Sequence, residues 1–97
     1  MYFREFYDSL LFTHSKRSAK KKAMEIANMT SSLKENPYRG SIEDELEYLN
    51  IGHRYIIYEV TKRNKLKIIY FIDESDPSVH ITDFFPCSMK PSKMRNR

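Results

Sequence analysis

Two opposed runs of charge carry most of the chemistry open to this sequence. Lys16, Arg17, Lys20, Lys21 and Lys22 set five cations within seven positions. Such a run can neutralise the phosphates of a nucleic acid. It can equally be the solvated face of an amphipathic helix. Glu43, Asp44, Glu45 and Glu47 form the opposite run. Grouped carboxylates can hold a cation or share acid–base work. Here they read instead as the charges that keep a solvated edge strand from pairing with another chain.

The remaining reactive side chains are scattered. His14, His53 and His80 lie far apart on different predicted elements, without the close ligand pairs that tetrahedral metal sites usually show. Cys87 is the only cysteine, which excludes an internal disulfide and a multi-cysteine zinc site. Nothing near it in sequence would stabilise a thiolate, so it reads as a structural or incidental thiol. With Gly40 and Gly52 as the only glycines, there is no glycine-rich phosphate loop. No metal and no cofactor are expected.

The elements that must position these groups divide the chain in two. Phe3, Phe6, Tyr7 and Leu10 fall at helical spacing, and Tyr2 to Leu11 reads as a helix. A break follows at His14, where Ser15 or Ser18 can cap a second helix. Its apolar stripe is Ala19, Ala23, Ile26, Ala27 and Leu33, and Asn36-Pro37 stops it. Strands follow: a short candidate over Glu45–Leu49, then His53–Thr61, Leu66–Ile72 and Val79–Phe85. The third is almost continuously apolar, as expected of a central strand covered on both faces. The last alternates Val79, Ile81, Asp83 and Phe85 against His80, Thr82 and Phe84. Short polar connections at Lys62–Lys65 and Asp73–Ser78 make the sheet mainly antiparallel. The expected fold is α+β, with two N-terminal helices on one face of a three- to four-stranded twisted sheet.

Composition bounds the rest. Ninety-seven residues, 40% hydrophobic and 31% charged, suit one small domain, placed at residues 1–90. Residues 91–97 read as a basic flexible tail. The net charge of +4 comes from the two ends, because residues 43–50 are acidic and residues 51–86 balance. A basic excess favours an anionic partner. No run approaches the roughly 18 apolar residues of a membrane span. The opening residues are unlike a signal region. A soluble, cytoplasmic protein of a reducing compartment, with no membrane contact, is expected.

The order of short motifs carries a further reading. Leu33-x-x-Asn36-Pro37-Tyr38-x-Gly40 precedes an acidic stretch and then Gly52-His53-Arg54-Tyr55-Ile56-Ile57-Tyr58-Glu59-Val60. Lys67-Ile68-Ile69-Tyr70-Phe71-Ile72-Asp73 and Val79-His80-Ile81-Thr82-Asp83-Phe84-Phe85 follow. Across roughly residues 19–91 this order resembles the RelE/ParE superfamily of bacterial toxins. The resemblance implies the toxin of a type II toxin–antitoxin module, of the kind that stabilises plasmids. It implies a cognate antitoxin whose extended segment wraps the toxin. Two activities divide the family: metal-independent cleavage of mRNA on the ribosome, and poisoning of DNA gyrase by binding.

Arg54 matches the family's strand arginine and is the tentative catalytic residue. Its plain alternative is an ion pair with Glu45 or Glu47 on a neighbouring strand. Lys62, Arg63, Lys65 and Lys67 form an accessory basic cluster, and Lys20 and Lys21 complete the candidate target-binding set. The preceding-strand lysines of the ribonucleases are replaced by Glu45-Leu46-Glu47. Asp73, Glu74 and Asp76 occupy the next loop, and Cys87-Ser88 stand where basic residues and a tyrosine are expected. Carboxylates beside a scissile phosphate repel it, so these departures favour target binding over RNA cleavage. Family members open with a strand, whereas this chain opens with a helix. Either the first strand is absent or the sequence starts inside the usual domain; a missing strand leaves a sheet edge uncovered, expected to be closed by a partner or by a second copy of the chain. The alternative function is a non-toxic basic α+β module that binds nucleic acid or protein.

Overall fold

The computed structural model describes residues 1–95. Two helices lead, α1 (Phe3–Thr13) and α2 (Lys16–Ser32). The Glu5 carboxylate accepts the Tyr2 N–H at 3.1 Å, which steadies the start of α1. His14 turns extended and ends it. Of the two candidate serines, Ser15 makes the cap, with its hydroxyl accepting the Ser18 N–H at 3.1 Å. A short 3-10 turn at Pro37–Arg39 then leads into the sheet.

Four strands follow: β1 (Ser41–Ile42), β2 (Arg54–Glu59), β3 (Lys65–Asp73) and β4 (Ser78–Pro86). They stand in the order β1-β2-β3-β4, every pair antiparallel. The fold is α+β, with both helices on one face of the sheet. Beneath the helices, Phe6, Leu10, Ala19, Ile26 and Leu33 pack on Ile56, Tyr58, Leu66, Ile68 and Tyr70. Both predicted helical stripes thus supply core, although Ala27 faces solvent. β3 is central, and Leu66, Ile68, Ile69 and Tyr70 are wholly buried.

Two expectations need correction. The stretch Glu45–Leu49 is not a strand; a 3-10 helix runs over Asp44–Leu49. The Glu43 carboxylate caps it by accepting the Glu45 N–H, and Asn50 ends it in the left-handed region at φ 55°. Its Leu46 drops onto Ile69, Phe85 and Met94, forming a second, smaller core on the face away from the helices. The strand at that edge is β1, only two residues long.

The alternation expected along β4 also breaks. Ile69 pairs with Asp83 but Tyr70 pairs with Ile81, so Thr82 is an extra, bulged residue. Val79, Ile81 and Phe84 consequently face the helices, while Asp83 and Phe85 face the second core. The sequence pattern had grouped Val79, Ile81, Asp83 and Phe85 on one face, and a bulge cannot be read from alternation alone.

The two edges of the sheet differ. Beyond Tyr55 no strand lies outside β2 among the described residues, leaving Ile56–Glu59 open. At the other edge, the Phe84 N–H donates to the Met1 carbonyl at 2.9 Å and the Met1 amino group donates to the Phe84 carbonyl at 3.3 Å. Met1 alone therefore stands beside β4, and no strand precedes α1 among the described residues. Of the stretch read as a tail, Pro91–Lys93 form a 3-10 turn, Met94 is buried in the second core, and the Arg95 N–H reaches Asp83 at 2.9 Å. Residues 96 and 97 lie outside the described residues.

Candidate binding surfaces

The candidate residues stand in four places. Arg54 opens β2 on the helix-facing side, where its Nη1 donates to the Gly40 carbonyl at 2.8 Å and to the Tyr38 carbonyl at 3.4 Å. Its guanidinium lies 5.2 Å from the centre of the Tyr38 ring. Neither Glu45 nor Glu47 pairs with it among the described residues. Those carboxylates ride on the 3-10 helix rather than on an adjacent strand, so the expected ion pair has no geometry to form in. Arg54 instead fastens the Pro37–Gly40 loop to the sheet, and its half-buried side chain keeps one edge toward solvent.

Tyr70 fastens the same loop from below. Its hydroxyl donates to the Pro37 carbonyl at 2.6 Å and accepts the Gly40 N–H at 3.1 Å. Burial raises the Tyr70 pKa, so the hydroxyl stays protonated and available to donate. Gly40 admits no larger residue: an added Cβ would come within 2.7 Å of the Tyr55 carbonyl oxygen. The Pro-Tyr-x-Gly spacing signalled a turn, but nothing in it named Tyr70, thirty positions on, as its anchor.

Lys67 occupies the opposite face from Arg54. Its ammonium donates to Glu43 Oε1 at 2.7 Å and sits 4.3 Å from the centre of the Tyr55 ring. Glu43 is 2% exposed, so the first carboxylate of the acidic run is a buried ion-pair partner and not a solvated edge charge. Asp44, Glu45 and Glu47 remain exposed on the 3-10 helix. Beside this pair His53 is 1% exposed, and neither ring nitrogen has a hydrogen-bond partner among the described residues. Burial lowers its pKa against the opposing pull of Glu43, favouring neutral imidazole. The Phe71 ring separates it from His80, at 5.7 Å and 4.9 Å between ring centres. Among the described residues no three His, Cys, Asp or Glu side chains gather as metal ligands.

Lys62, Arg63 and Lys65 lie at the β2–β3 hairpin, all exposed. From Arg54 to the hairpin end of β2 is five residues, about 17 Å of strand. Arg54, Lys67 and the hairpin cluster are therefore not brought to one point. Lys20 and Lys21 are exposed on α2, whereas Lys22 turns inward and donates to the Val60 carbonyl at 2.7 Å. The dense α2 run thus splits into a solvent-facing part and one cation that fastens the helix to the sheet. Comparison with protein-family models, with curated proteins and with solved structures gives no match.

Proposed function

We propose that this chain is the toxin of a type II toxin–antitoxin module of the RelE/ParE kind, acting in the bacterial cytoplasm by binding a cellular target. The observation that carries the reading is the ordered motif set on a two-helix, four-stranded antiparallel scaffold, with Arg54 heading β2. The open backbone of β2 from Ile56 to Glu59 is a natural place for an extended antitoxin segment or a second copy.

Target binding is favoured over RNA cleavage by the arrangement around Arg54. Its guanidinium is engaged with two loop carbonyls, Lys67 lies on the other face of the sheet, Lys62, Arg63 and Lys65 lie at its hairpin end, and Lys20 and Lys21 lie on α2. Phosphoryl chemistry without a metal needs several cations converging on one phosphate. Expression in a bacterial host should arrest growth, with relief by the product of a small adjacent gene. No arrest at confirmed soluble levels would remove this reading. Loss of gyrase supercoiling selects the binding branch; cleavage of ribosome-bound mRNA that Arg54→Ala abolishes selects the nuclease branch.

A further inference from the structure

Two basic clusters that are remote in sequence meet at one end of the molecule. Two contacts fix α2 against β2. The Tyr58 hydroxyl donates to the Glu25 carboxylate at 2.6 Å. Two residues further along β2, the Val60 carbonyl accepts from Lys22, three residues back along α2, at 2.7 Å. α2 therefore runs antiparallel to β2, and its first turn comes down beside the β2–β3 hairpin. His14, just ahead of α2, borders the same cleft as Arg63, Asn64 and Lys65.

Six exposed cations gather there: Lys16, Arg17 and Lys21 from α2, and Lys62, Arg63 and Lys65 from the hairpin. None of them is in an ion pair among the described residues. α2, β2 and the hairpin carry only two carboxylates. Glu25 accepts the Tyr58 hydroxyl, and Glu59 stands opposite Lys65 in the register, beyond ion-pair reach. The hairpin that presents its three cations is closed by the Val60 N–H on the Asn64 carbonyl at 2.9 Å and the Asn64 N–H on the Thr61 hydroxyl at 3.1 Å. At the same end, Phe12 stands in the last turn of α1, four residues before Lys16. It is 94% exposed, more than any other large apolar side chain among the described residues. A protein partner is held by a buried apolar centre within a polar rim. Here the order is reversed: many free cations and one bare ring, which fits phosphates together with an unpaired base. A duplex would satisfy the cations but keep its base faces stacked away from the ring.

We infer that this end of the molecule binds single-stranded nucleic acid, with backbone phosphates on the α2 and hairpin cations and a base stacked on Phe12. The surface is distinct from Arg54, and the inference holds whether or not the chain arrests growth. It joins two runs that the sequence keeps about forty positions apart into one interface.

The test measures fluorescence anisotropy of labelled oligouridine and oligothymidine, about twelve nucleotides long, against the whole chain, with a duplex of that length and polyglutamate beside them. Binding of either single strand supports the inference, and the tighter one tells RNA from DNA. The slope of log Kd against log salt should be about 4, near 0.7 for each of six phosphates. Arg17→Gln with Lys21→Gln, and Lys62→Gln with Arg63→Gln, should each lower that slope by about 1.4. Phe12→Ala should weaken single strands about tenfold, leave the slope unchanged and leave the duplex unaffected. Lys34→Gln, past the other end of α2, should change nothing. All these positions are exposed, and an unchanged far-UV spectrum would confirm that each variant is folded. No binding of either strand at low salt, equal binding of polyglutamate, a slope that survives either paired variant, or single-strand affinity untouched by Phe12→Ala would each overturn the assignment.

Discussion

The two faces of this sheet are built on different physics. The helix-facing side is closed by hydrocarbon, and tyrosine hydroxyls sit at its margin with their partners: Tyr70 on the Pro37 carbonyl and the Gly40 N–H, and Tyr58 on the Glu25 carboxylate at 2.6 Å. The other side buries Glu43 against Lys67, Asp83 against the Arg95 backbone and the Met1 amino group, and His53 with no hydrogen-bond partner among the described residues. Among the described residues, only Leu46, Ile69, Phe85 and Met94 form a buried apolar patch there. One face therefore supplies stability that is indifferent to solvent ions and pH. The other supplies stability that depends on charge state, and so can respond to a partner or to acidity.

Substitutions on both faces break or sharpen that contrast. The largest loss is expected from Leu66→Ala, wholly buried on the helix side, at about 4 kcal/mol and independent of salt and pH. Urea unfolding at two ionic strengths checks it. Lys67→Met should cost about 3 kcal/mol by leaving Glu43 buried without its partner. The double variant Glu43→Leu with Lys67→Met should recover most of that loss, as a buried pair replaced by hydrocarbon usually does. A double variant no more stable than the single one would mean that the pair does more than neutralise itself.

Tyr70→Phe should cost about 2 kcal/mol by stranding the Pro37 carbonyl and the Gly40 N–H. It should also raise amide exchange in residues 38–42, because the loop loses its lower fastening. For His53 the sign follows from burial: the folded pKa lies below the unfolded value of about 6.5, so the unfolded chain binds the proton more readily. This group's stability contribution is complete above about pH 6.5 and falls as the pH drops toward the folded pKa. The slope is at most about 1.4 kcal/mol per pH unit. His53→Leu should flatten the melting temperature between pH 7 and pH 5; an equally steep curve in that variant would assign the dependence to another group. The smallest effect is expected from Tyr58→Phe, about 1 kcal/mol, because Glu25 can turn to solvent once the hydroxyl is gone.

The sequence was legible where one period ruled. Phe6 and Leu10, and Ala19 and Ile26, announced their helices because a single buried face sets their spacing, and the nearly continuous apolar run Leu66–Ile72 announced a strand covered on both faces. Reading failed where a local device interrupted the period. Glu43 caps a 3-10 turn that puts Leu46 inward, and a mixed pattern of acids and apolar residues cannot distinguish that from an edge strand. Candidate residues were identifiable by type, but not their grouping. Arg54 pairs with Tyr70 and Lys67 with Ile57, so the two point to opposite faces, and only the register reveals it. The unpartnered state of His53 is a tertiary fact with no mark in the sequence.

The bulge at Thr82 gives β4 a tolerance to length change at one site. Deleting Thr82 would join Ile81 directly to Asp83, and each would keep its present partner, Tyr70 and Ile69, on its present face. A deletion elsewhere along the paired run would carry every residue between it and Thr82 to the wrong side of the sheet. Such a frame error would turn His80 into the dry core, or Ile81 out of it. The strand thus holds one residue of slack, and shortening it there would remove curvature while leaving the partition of side chains intact.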